Sequence, residues 1–438
     1  MAQAPIDKKS TVSDRQFPVV GIGASAGGLD AFKLFVQAIP EKTGMAYVYV
    51  QHLSPLHQSN LPEIVQKSTM VPVHLIADNI NLEPDHIYII PPGSTLTAFD
   101  GVLKLEPIIT KNVKTIDLFF SSLAIVHQSF AVGVVLSGAL NDGTLGLQII
   151  KSYGGLTFAQ DESSAAFDSM PRSAIQSGAV DFILPADEII AKLVNINIPF
   201  HSNYSEAEIK KNEPEADEEA FRQVLTVLRI RRGVDFTNYK QSTIKRRIVR
   251  RMALNKIDKV FEYLPFLREK KTEQDDLYND LLISVTNFFR DPQSFNLLCG
   301  QIFPNLLHQK LPTEPLRIWI AGCATGEEAY SMAICLQEYL GDKAAARKIQ
   351  IFATDISEIA IAKARVGIYR LNELEGVSSL QLAQFFNKLD GGYQVDKSIR
   401  DMCVFAHHNL LKDPPFSNVD MVSCRNVMIY LEPQRTII

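Results

Sequence analysis

Val19-Val20-Gly21-Ile22-Gly23-Ala24-Ser25-Ala26-Gly27-Gly28-Leu29-Asp30-Ala31-Phe32 is the stretch on which the first half of this chain turns. The apolar run from Phe17 to Ile22 predicts a buried strand. Leu29, Phe32, Val36 and Ile39 then recur at helical spacing, so a helix follows, and Pro40 ends it. Ser25 falls on the glycine-lined turn between them, at the carboxyl edge of a sheet. The free N–H groups of a helix N-terminus lie beside it and can hold a phosphate or an oxyanion. Gly23, Gly27 and Gly28 permit the backbone angles and the close approach that such a turn needs. The stretch is neither G-x-G-x-x-G with a following acidic partner nor G-x-S-x-G. On its own it leaves three readings open: a Rossmann-like phosphate loop, a tight turn, or a nucleophile elbow.

Outward from this turn the alternation continues to about residue 199. Residues 45–50, 86–90, 131–136 and 156–158 read as strands, and 61–68, 116–127, 143–151 and 189–194 as helices. Residues 95–99 and 103–105 flank Asp100-Gly101, a hairpin signal. The fold class is therefore α/β, with a doubly wound, mostly parallel sheet over residues 17–199. A disordered leader over 1–16 precedes it. Residues 200–219 are polar and acid-rich and read as a linker running into a helix start. Residues 220–303 read as a small all-helical domain. From Leu316 the strand–helix alternation returns, with strands at 317–321, 349–354 and 420–424 and a helix ending at Leu340. Residues 304–438 thus read as a second, Rossmann-like domain. It stops at Ile438 before a closing helix or final strands and is expected to be incomplete.

Composition narrows the class. Of 438 residues, 46% are hydrophobic and 21% charged, the balance of a globular protein. No apolar run reaches the roughly 18 residues of a membrane span. The polar first 16 residues lack the apolar core of a secretion signal. The five cysteines, Cys299, Cys323, Cys335, Cys403 and Cys424, are scattered and odd in number, which suits reduced cytosolic thiols and neither a disulfide framework nor a metal site. A cytoplasmic location follows.

Two more residues join Ser25. His52 directly follows the second strand, and Asp142, in Asn141-Asp142-Gly143, directly follows the strand at 131–136. Strand ends are where open α/β sheets build their sites. A hydroxyl nucleophile needs an imidazole within reach and a carboxylate to fix its tautomer. The order Ser, His, Asp is not that of the α/β-hydrolases. Taken singly, His52 is a structural histidine and Asp142 a helix cap; three such residues at strand ends favour a catalytic set.

Gly23-Ala24-Ser25-Ala26-Gly27-Gly28, Gln51-His52, Asp117-Leu118-Phe119-Phe120-Ser121-Ser122, Leu136-Ser137-Gly138 with Asp142-Gly143, and Ala159-Gln160-Asp161-Glu162-Ser163 with Met170-Pro171-Arg172 occur in one order. In that order residues 17–194 resemble the catalytic domain of the chemotaxis receptor methylesterases, the CheB type. The resemblance implies hydrolysis of glutamyl methyl esters on receptor helices, with glutamine deamidation as a companion reaction. It implies Ser25 as nucleophile, His52 as general base and Asp142 as its orienter. Ala139-Leu140 stands where the family often carries Met-Gly, which leaves the oxyanion-hole composition open. The family's phosphoacceptor receiver domain is not expected, because the sheet begins at residue 17.

In the second half, the glycine turn Ala321-Gly322-Cys323-Ala324-Thr325-Gly326-Glu327-Glu328 follows a first strand, and Asp355 ends the next. A carboxylate there can accept both ribose hydroxyls of a nucleoside cofactor. With no Walker lysine, S-adenosylmethionine suits the turn better than a nucleoside triphosphate. Thr286-Asn287-Phe288-Phe289-Arg290-Asp291-Pro292, Gly326-Glu327-Glu328-Ala329-Tyr330-Ser331, Ala353-Thr354-Asp355-Ile356-Ser357, His408-Asn409-Leu410 and Cys424-Arg425-Asn426-Val427-Met428-Ile429-Tyr430 together resemble the CheR-type protein-glutamate methyltransferases. The resemblance runs from about residue 220 to the end. It implies that Thr286, Arg290, Glu327, Asp355, Asn409, Leu410, Arg425 and Asn426 line an S-adenosylmethionine pocket, with Asp355 on the ribose and Arg290 near the transferring methyl group.

Between these halves Arg229, Arg231, Arg232, Lys240, Lys245, Arg246, Arg247, Arg250 and Arg251 crowd one segment. Ile244, Ile248 and Met252 mark a packing face, which leaves the arginines a face of one sign and predicts an anionic partner. No aromatic residue interleaves the run at 245–251, so single-stranded nucleic acid is not the expected partner. The resemblance implies the acidic methylated helices of a receptor or another signalling protein. The short Lys388-Leu389-Asp390-Gly391-Gly392-Tyr393 implies no insertion for a receptor's tethering peptide. The combined expectation is a fused methylesterase and methyltransferase acting in opposite directions. The rivals are a signalling scaffold with inactive sites, and a hydrolase of another ester joined to a small-molecule methyltransferase.

Overall fold

The computed structural model describes residues 17–51, 60–99, 102–109, 113–196, 215–282, 285–311, 313–341 and 347–432. His52, the leader at 1–16, residues 200–214 of the acidic linker, the Asp100-Gly101 turn and the end of the chain after residue 432 lie outside the described residues. The chain divides into two compact units, Met1–Thr237 with Gln241–Leu281, and Asn238–Lys240 with Leu282–Ile438.

The first unit opens β1 (Val19–Ala24), α1 (Gly28–Gln37), β2 (Ala46–Gln51), α2 (Leu61–Gln66), β3 (Val73–Leu75), β4 (Ile80–Asn81), β5 (His86–Ile89), β6 (Ser94–Phe99) and β7 (Val102–Pro107). It continues α3 (Thr115–His127), β8 (Ala131–Val135), α4 (Thr144–Ser152), β9 (Leu156–Gln160), α5 (Ser169–Gln176), β10 (Phe182–Leu184) and α6 (Ala186–Asn195). Seven strands form one sheet in the order β10-β9-β8-β1-β2-β5-β3, every neighbouring pair parallel. Chain order reverses at β1, which is buried along its whole length. That reversal opens a crevice at the carboxyl end of β1, where ligands bind in such sheets.

Alternate residues of β1 feed two cores. Val20 and Ile22 pack with Phe32, Phe35 and Val36 of α1 and Ile189, Ile190 and Leu193 of α6. On the other face Val19 joins a cluster with Ile116, Phe119, Phe120 and Leu123 of α3 and Leu147 of α4. The spacing of those four α3 residues is one helix stripe. Burying each of these large side chains contributes about 1.5–3 kcal/mol. The remaining strands, β4, β7 and β6, form a small antiparallel sheet whose register pairs Phe99 with Val102.

Four helices complete this unit: α7 (Glu215–Arg232), α8 (Gln241–Leu254), α9 (Val260–Glu269) and α10 (Lys271–Leu281). Helix α7 begins inside the acid-rich stretch, where carboxylates complement a helix N-terminus. The arginines of α8 do not form an open face. Ile244, Ile248 and Met252 are buried as expected, but so are Lys245, Arg247 and Arg250. Arg250 is clamped between Asp181, ahead of β10, and Asp280 of α10, and its Nε donates to Gly155 O at 3.1 Å. Arg247 donates to the carbonyls of Ser152 and Asp280, and Arg246 to the Gln128 side chain. Arg251 pairs with Glu273 and Asp276. The anionic partner expected for α8 is therefore this chain itself. Ala253 enters the cluster around Val20 and Phe32, and Leu254 packs against it.

The second unit holds α11 (Pro292–Leu297), α12 (Phe303–His308), β11 (Leu316–Ala321), α13 (Glu327–Leu340), β12 (Ile349–Asp355), α14 (Glu358–Val366), β13 (Ile368–Tyr369), α15 (Ser379–Phe385), β14 (Phe386–Leu389), β15 (Gly392–Val395), α16 (Lys397–Arg400), β16 (Cys403–His407) and β17 (Met421–Ser423). Phe288, Phe295 and Phe303 belong to its core with Ile318, Ile320 and Ile351. The helical segment thus ends near Leu281 and not near residue 303. The order β16-β12-β11-β17 is parallel throughout and reverses at β11. A small antiparallel sheet, β13-β15-β14, stands apart from it. Among the described residues no helix is long and apolar enough to cross a membrane.

Candidate active sites

Ser25 is half-buried in the turn between β1 and α1. Its N–H donates to Ser137 O at 3.0 Å, and its carbonyl accepts from Gly28 N at 3.0 Å and Gln51 Nε2 at 3.2 Å. Gly27 caps α1 at φ 69°, which glycine adopts without strain, and no side chain makes a capping hydrogen bond at that helix end. Gly138 faces the turn: a Cβ there would lie 3.0 Å from Ser25 Cβ and 2.7 Å from Met170 Sδ, so only glycine lets the β8 end approach.

The turn is held by residues to which the sequence reading gave no role, although Gln51, Ser137 and Gln160 lie in its motifs. Ser137 Oγ donates to Ala26 O at 3.0 Å, and Ser137 N donates to Gln160 Oε1 at 2.9 Å. Tyr49, stacked on Phe32 at 3.7 Å, donates to Gln51 Oε1 at 3.1 Å. A second signal in the sequence is a polar residue at the last position of a buried strand, Gln51 in β2 and Gln160 in β9.

Asp142 is 3% exposed and sits past the end of β8. Its carboxylate accepts Ile116 N at 2.9 Å, Asp117 N at 2.8 Å and Gly143 N at 2.9 Å. It caps α3, while Asp117 reciprocally accepts Gly146 N of α4 at 2.7 Å. A carboxylate offers about four lone-pair sites, and these three donors fix its orientation. Ser25 and Asp142 thus follow neighbouring strands on one sheet edge. His52 follows β2, the neighbour on the other side of β1, and is not described.

In the second unit six of the eight candidate residues, Glu327, Asp355, Asn409, Leu410, Arg425 and Asn426, lie at or just past strand ends on one edge of the sheet, while Thr286 and Arg290 lie on the segment ahead of α11. Parallel register sets Ile320 beside Ser423 and Asp355 beside His407, so Arg425-Asn426 and Asn409-Leu410 leave the same end of the sheet as the glycine turn. Gly322, at φ 77°, admits Val427: a Cβ there would fall 2.2 Å from Val427 Cγ2. Asp355 accepts Ala324 N and Ser357 N at 2.8 and 2.9 Å. Glu327, 3% exposed, begins α13, and Thr325 Oγ1 lies 2.8 and 2.7 Å from its two oxygens. Burial pushes the Glu327 carboxyl up to about 6 against the Thr325 hydrogen bond, and burial also raises Asp355 despite its backbone donors.

Arg425 Nη2 donates to Arg290 O at 2.7 Å and to Asp291 at 2.8 Å, and its guanidinium lies over Phe295. Phe289 N donates to Ser331 Oγ of α13 at 2.9 Å, which draws the segment carrying Thr286 and Arg290 to that helix. Asn409 Oδ1 accepts Leu411 N, and neighbouring His408 meets Trp319 edge-on at 5.6 Å. Glu328 was not singled out from the sequence; it accepts Ser423 Oγ and lies 4.0 Å from Arg425.

Comparison with known proteins gives these two edges their class. Residues 20–193 match the model of the CheB methylesterase family, 219–282 that of the CheR methyltransferase all-alpha domain, and 284–437 that of the CheR methyltransferase SAM binding domain. An uncharacterized 104.1 kDa protein of Rhodobacter capsulatus is 34% identical over 393 residues, 85% of this chain and 41% of that protein. The chain therefore spans about two-fifths of that relative's length. A chemotaxis protein methyltransferase of Borreliella burgdorferi is 33% identical over 46% of this chain and 73% of its own length. A protein-glutamate methylesterase/protein-glutamine glutaminase of Burkholderia lata is 34% identical over 40% of this chain and 53% of its own length. The crystal structure of the Thermotoga maritima CheB methylesterase catalytic domain aligns with 41% of this chain and 97% of that one, at 27% identity and a TM-score of 0.38.

An α/β esterase module is thus joined to a nucleoside-dependent methyltransferase module. The chain belongs to the CheR methyltransferase family and carries a CheB methylesterase domain ahead of the family's all-α and S-adenosylmethionine-binding domains. S-adenosylmethionine is the methyl donor that such a domain binds. The residues there fit that group: the Glu327 carboxyl is buried and the Asp355 carboxyl half-buried, and a cationic, hydroxyl-bearing ligand such as this sulfonium nucleoside would favour the charged form that burial opposes in both.

Proposed function

We propose that the chain is a bifunctional chemotaxis-type enzyme of the cytoplasm, which hydrolyses glutamyl methyl esters on a signalling protein and methylates glutamate on such a protein. The observation that carries this is the occurrence, in one chain, of methylesterase and methyltransferase domains whose candidate residues collect at strand ends. The pairing of opposed domains also speaks against a scaffold with inactive sites and against two unrelated small-molecule enzymes. Glutamine deamidation, the companion activity in the printed name of the Burkholderia relative, extends the reading of the esterase half.

In the esterase half, Ser25 would attack the ester carbonyl and pass its proton to His52, which Asp142 orients. Methanol would leave, and water would release the glutamate carboxylate and restore the serine. The N-terminus of α1, at which no side chain makes a capping hydrogen bond, would supply N–H donors for the oxyanion. In the transferase half, Asp355 would hold the ribose, Glu327 the cationic end of the methionine moiety, and Arg290 would sit near the incoming glutamate. Thr286, Asn409, Leu410, Arg425 and Asn426 would complete the pocket. The substrate carboxylate is already ionised at neutral pH, so placement of the two reactants does most of the work. The partner is an acidic helical receptor or a similar protein, and it does not dock on the α8 arginines, which are engaged in cis.

The test is a pair of assays on one methyl-accepting protein: methyl transfer from labelled S-adenosylmethionine, and methanol release from the product. Ser25→Ala should abolish methanol release and spare transfer; Asp355→Ala should abolish transfer and spare methanol release. Methanol release that survives Ser25→Ala, or label that appears only on small metabolites, overturns the reading.

A further inference from the structure

Leu140 is out of place twice. Its φ of 69° puts a non-glycine, γ-branched residue in the left-handed region, and 79% of it is exposed. The backbone costs energy there, and an apolar side chain in water gains nothing. The chain on either side is clamped. Gly138 N donates to Phe167 O, and Gly138 O accepts from Met170 N and Ser169 Oγ. Beyond it, three N–H groups hold Asp142 and Thr144 N donates to Asn141 O. A segment fixed on both sides can keep a strained residue between them, and such residues concentrate where strain serves a site.

The site is near. Leu140 stands two residues beyond Gly138, which abuts Ser25, and two before Asp142. On the other flank, Phe167 is 51% exposed, and a Cβ on Gly27 would lie 3.0 Å from its Cδ2. Two exposed apolar side chains, one from the loop after β8 and one from the loop after β9, therefore bracket the Ser25 turn. A methyl ester offers little apolar surface of its own. Selection of an ester within a protein must draw on residues away from the reacting carbonyl. On a helical substrate the residues three and four positions from the ester are its neighbours on the same face, roughly 5–6 Å away.

We propose that Leu140 and Phe167 are specificity-determining residues that grip apolar side chains one helical turn to either side of the esterified glutamate. The proposal rests on the esterase reading above. It explains why a leucine is kept in a conformation that glycine adopts freely.

The experiment uses the full chain, with a methylated helical protein and p-nitrophenyl acetate as substrates. Leu140→Gly and Leu140→Asn both suit the left-handed backbone and remove the apolar group. The ratio of kcat/KM for the protein ester to that for the small ester should fall about tenfold in each, through KM. The thermal midpoint should rise by about 2–4 °C in Leu140→Gly. Phe167→Ala should lower the same ratio without the thermal gain. An unchanged ratio in both Leu140 variants overturns the proposal while the esterase reading stands. Equal loss on both substrates also overturns it, since Leu140 would then act through Ser25. A wild-type chain inactive on both esters overturns the esterase reading and the proposal with it.

Discussion

Arg250→Met should be among the most damaging single changes outside either catalytic edge. The Arg250 guanidinium is buried between Asp181 and Asp280 and also donates to Gly155 O. Removing one member of a buried ion cluster costs about 3–5 kcal/mol, because the surviving charge stays desolvated without its partner. Asp181 keeps Lys151 at 3.3 Å and the Thr157 N–H and hydroxyl at 3.1 and 2.9 Å, which places the expected loss near the lower end, about 3 kcal/mol. In urea, followed by circular dichroism, that is a midpoint shift of about 1 M. The loss should depend on pH in a definite direction. Burial alone would raise the Asp181 carboxyl, but Arg250 and Lys151 outweigh it and hold it below its ordinary value. A depressed carboxyl contributes stability above its unfolded value, roughly 3.9, and loses it as pH falls toward the folded value. In Arg250→Met the burial effect is much less opposed, so Asp181 can take up a proton sooner and shed its penalty. The deficit should therefore shrink between pH 7 and pH 4. A deficit under about 1 kcal/mol at pH 7, or one that grows on acidification, would refute the argument.

The remaining predictions concern the second unit. Glu327, raised by burial to about 6, favours the protonated folded form. Its contribution is full below the ordinary value of 4.5 and gone above about 6, so Glu327→Gln should match wild type near pH 4.5. At pH 7 the variant should be more stable by on the order of 1–2 kcal/mol, read by the fluorescence of Trp319, the chain's one tryptophan. By the same carboxyl, calorimetric affinity for S-adenosylmethionine should tighten as pH rises through about 6 and level off above it, and a flat profile would remove Glu327 from the cation-binding role. Gly322→Ala combines a left-handed backbone with a 2.2 Å approach to Val427; it should destabilise the unit by about 2–3 kcal/mol and displace Arg425-Asn426, weakening cofactor binding.

What could be read from the sequence was whatever has a period or a motif. The β1 and α1 pattern around Ser25 is strong because apolar spacing changes abruptly at a glycine turn. Val73–Leu75 and Phe182–Leu184 escaped because three residues carry no period, although they complete both sides of the sheet. The α8 arginines were misjudged for a different reason. A run of like charge looks solvated until the distant residues facing it are known, and Asp181 lies far back in the chain. Leu140 left one trace, its place where the resembled family often carries glycine, but nothing in a leucine's neighbours announces positive φ. Asp142 was visible as a cap or an orienter, and the fold shows that it caps another helix, α3, in addition to its own turn.

Ala253 and Leu254 lend the β1–α1 core part of its wall, yet they belong by ancestry to the methyltransferase lineage. A gene fusion usually leaves two heirlooms on a string, each exchangeable for a cousin. Here the second heirloom has grown into the first. Swapping in a free-standing methylesterase, or trimming the chain at residue 193, would leave a gap in that wall facing water. Divergence of the methylesterase domain and the all-alpha domain must then proceed in step at this seam, because the two share one compact unit.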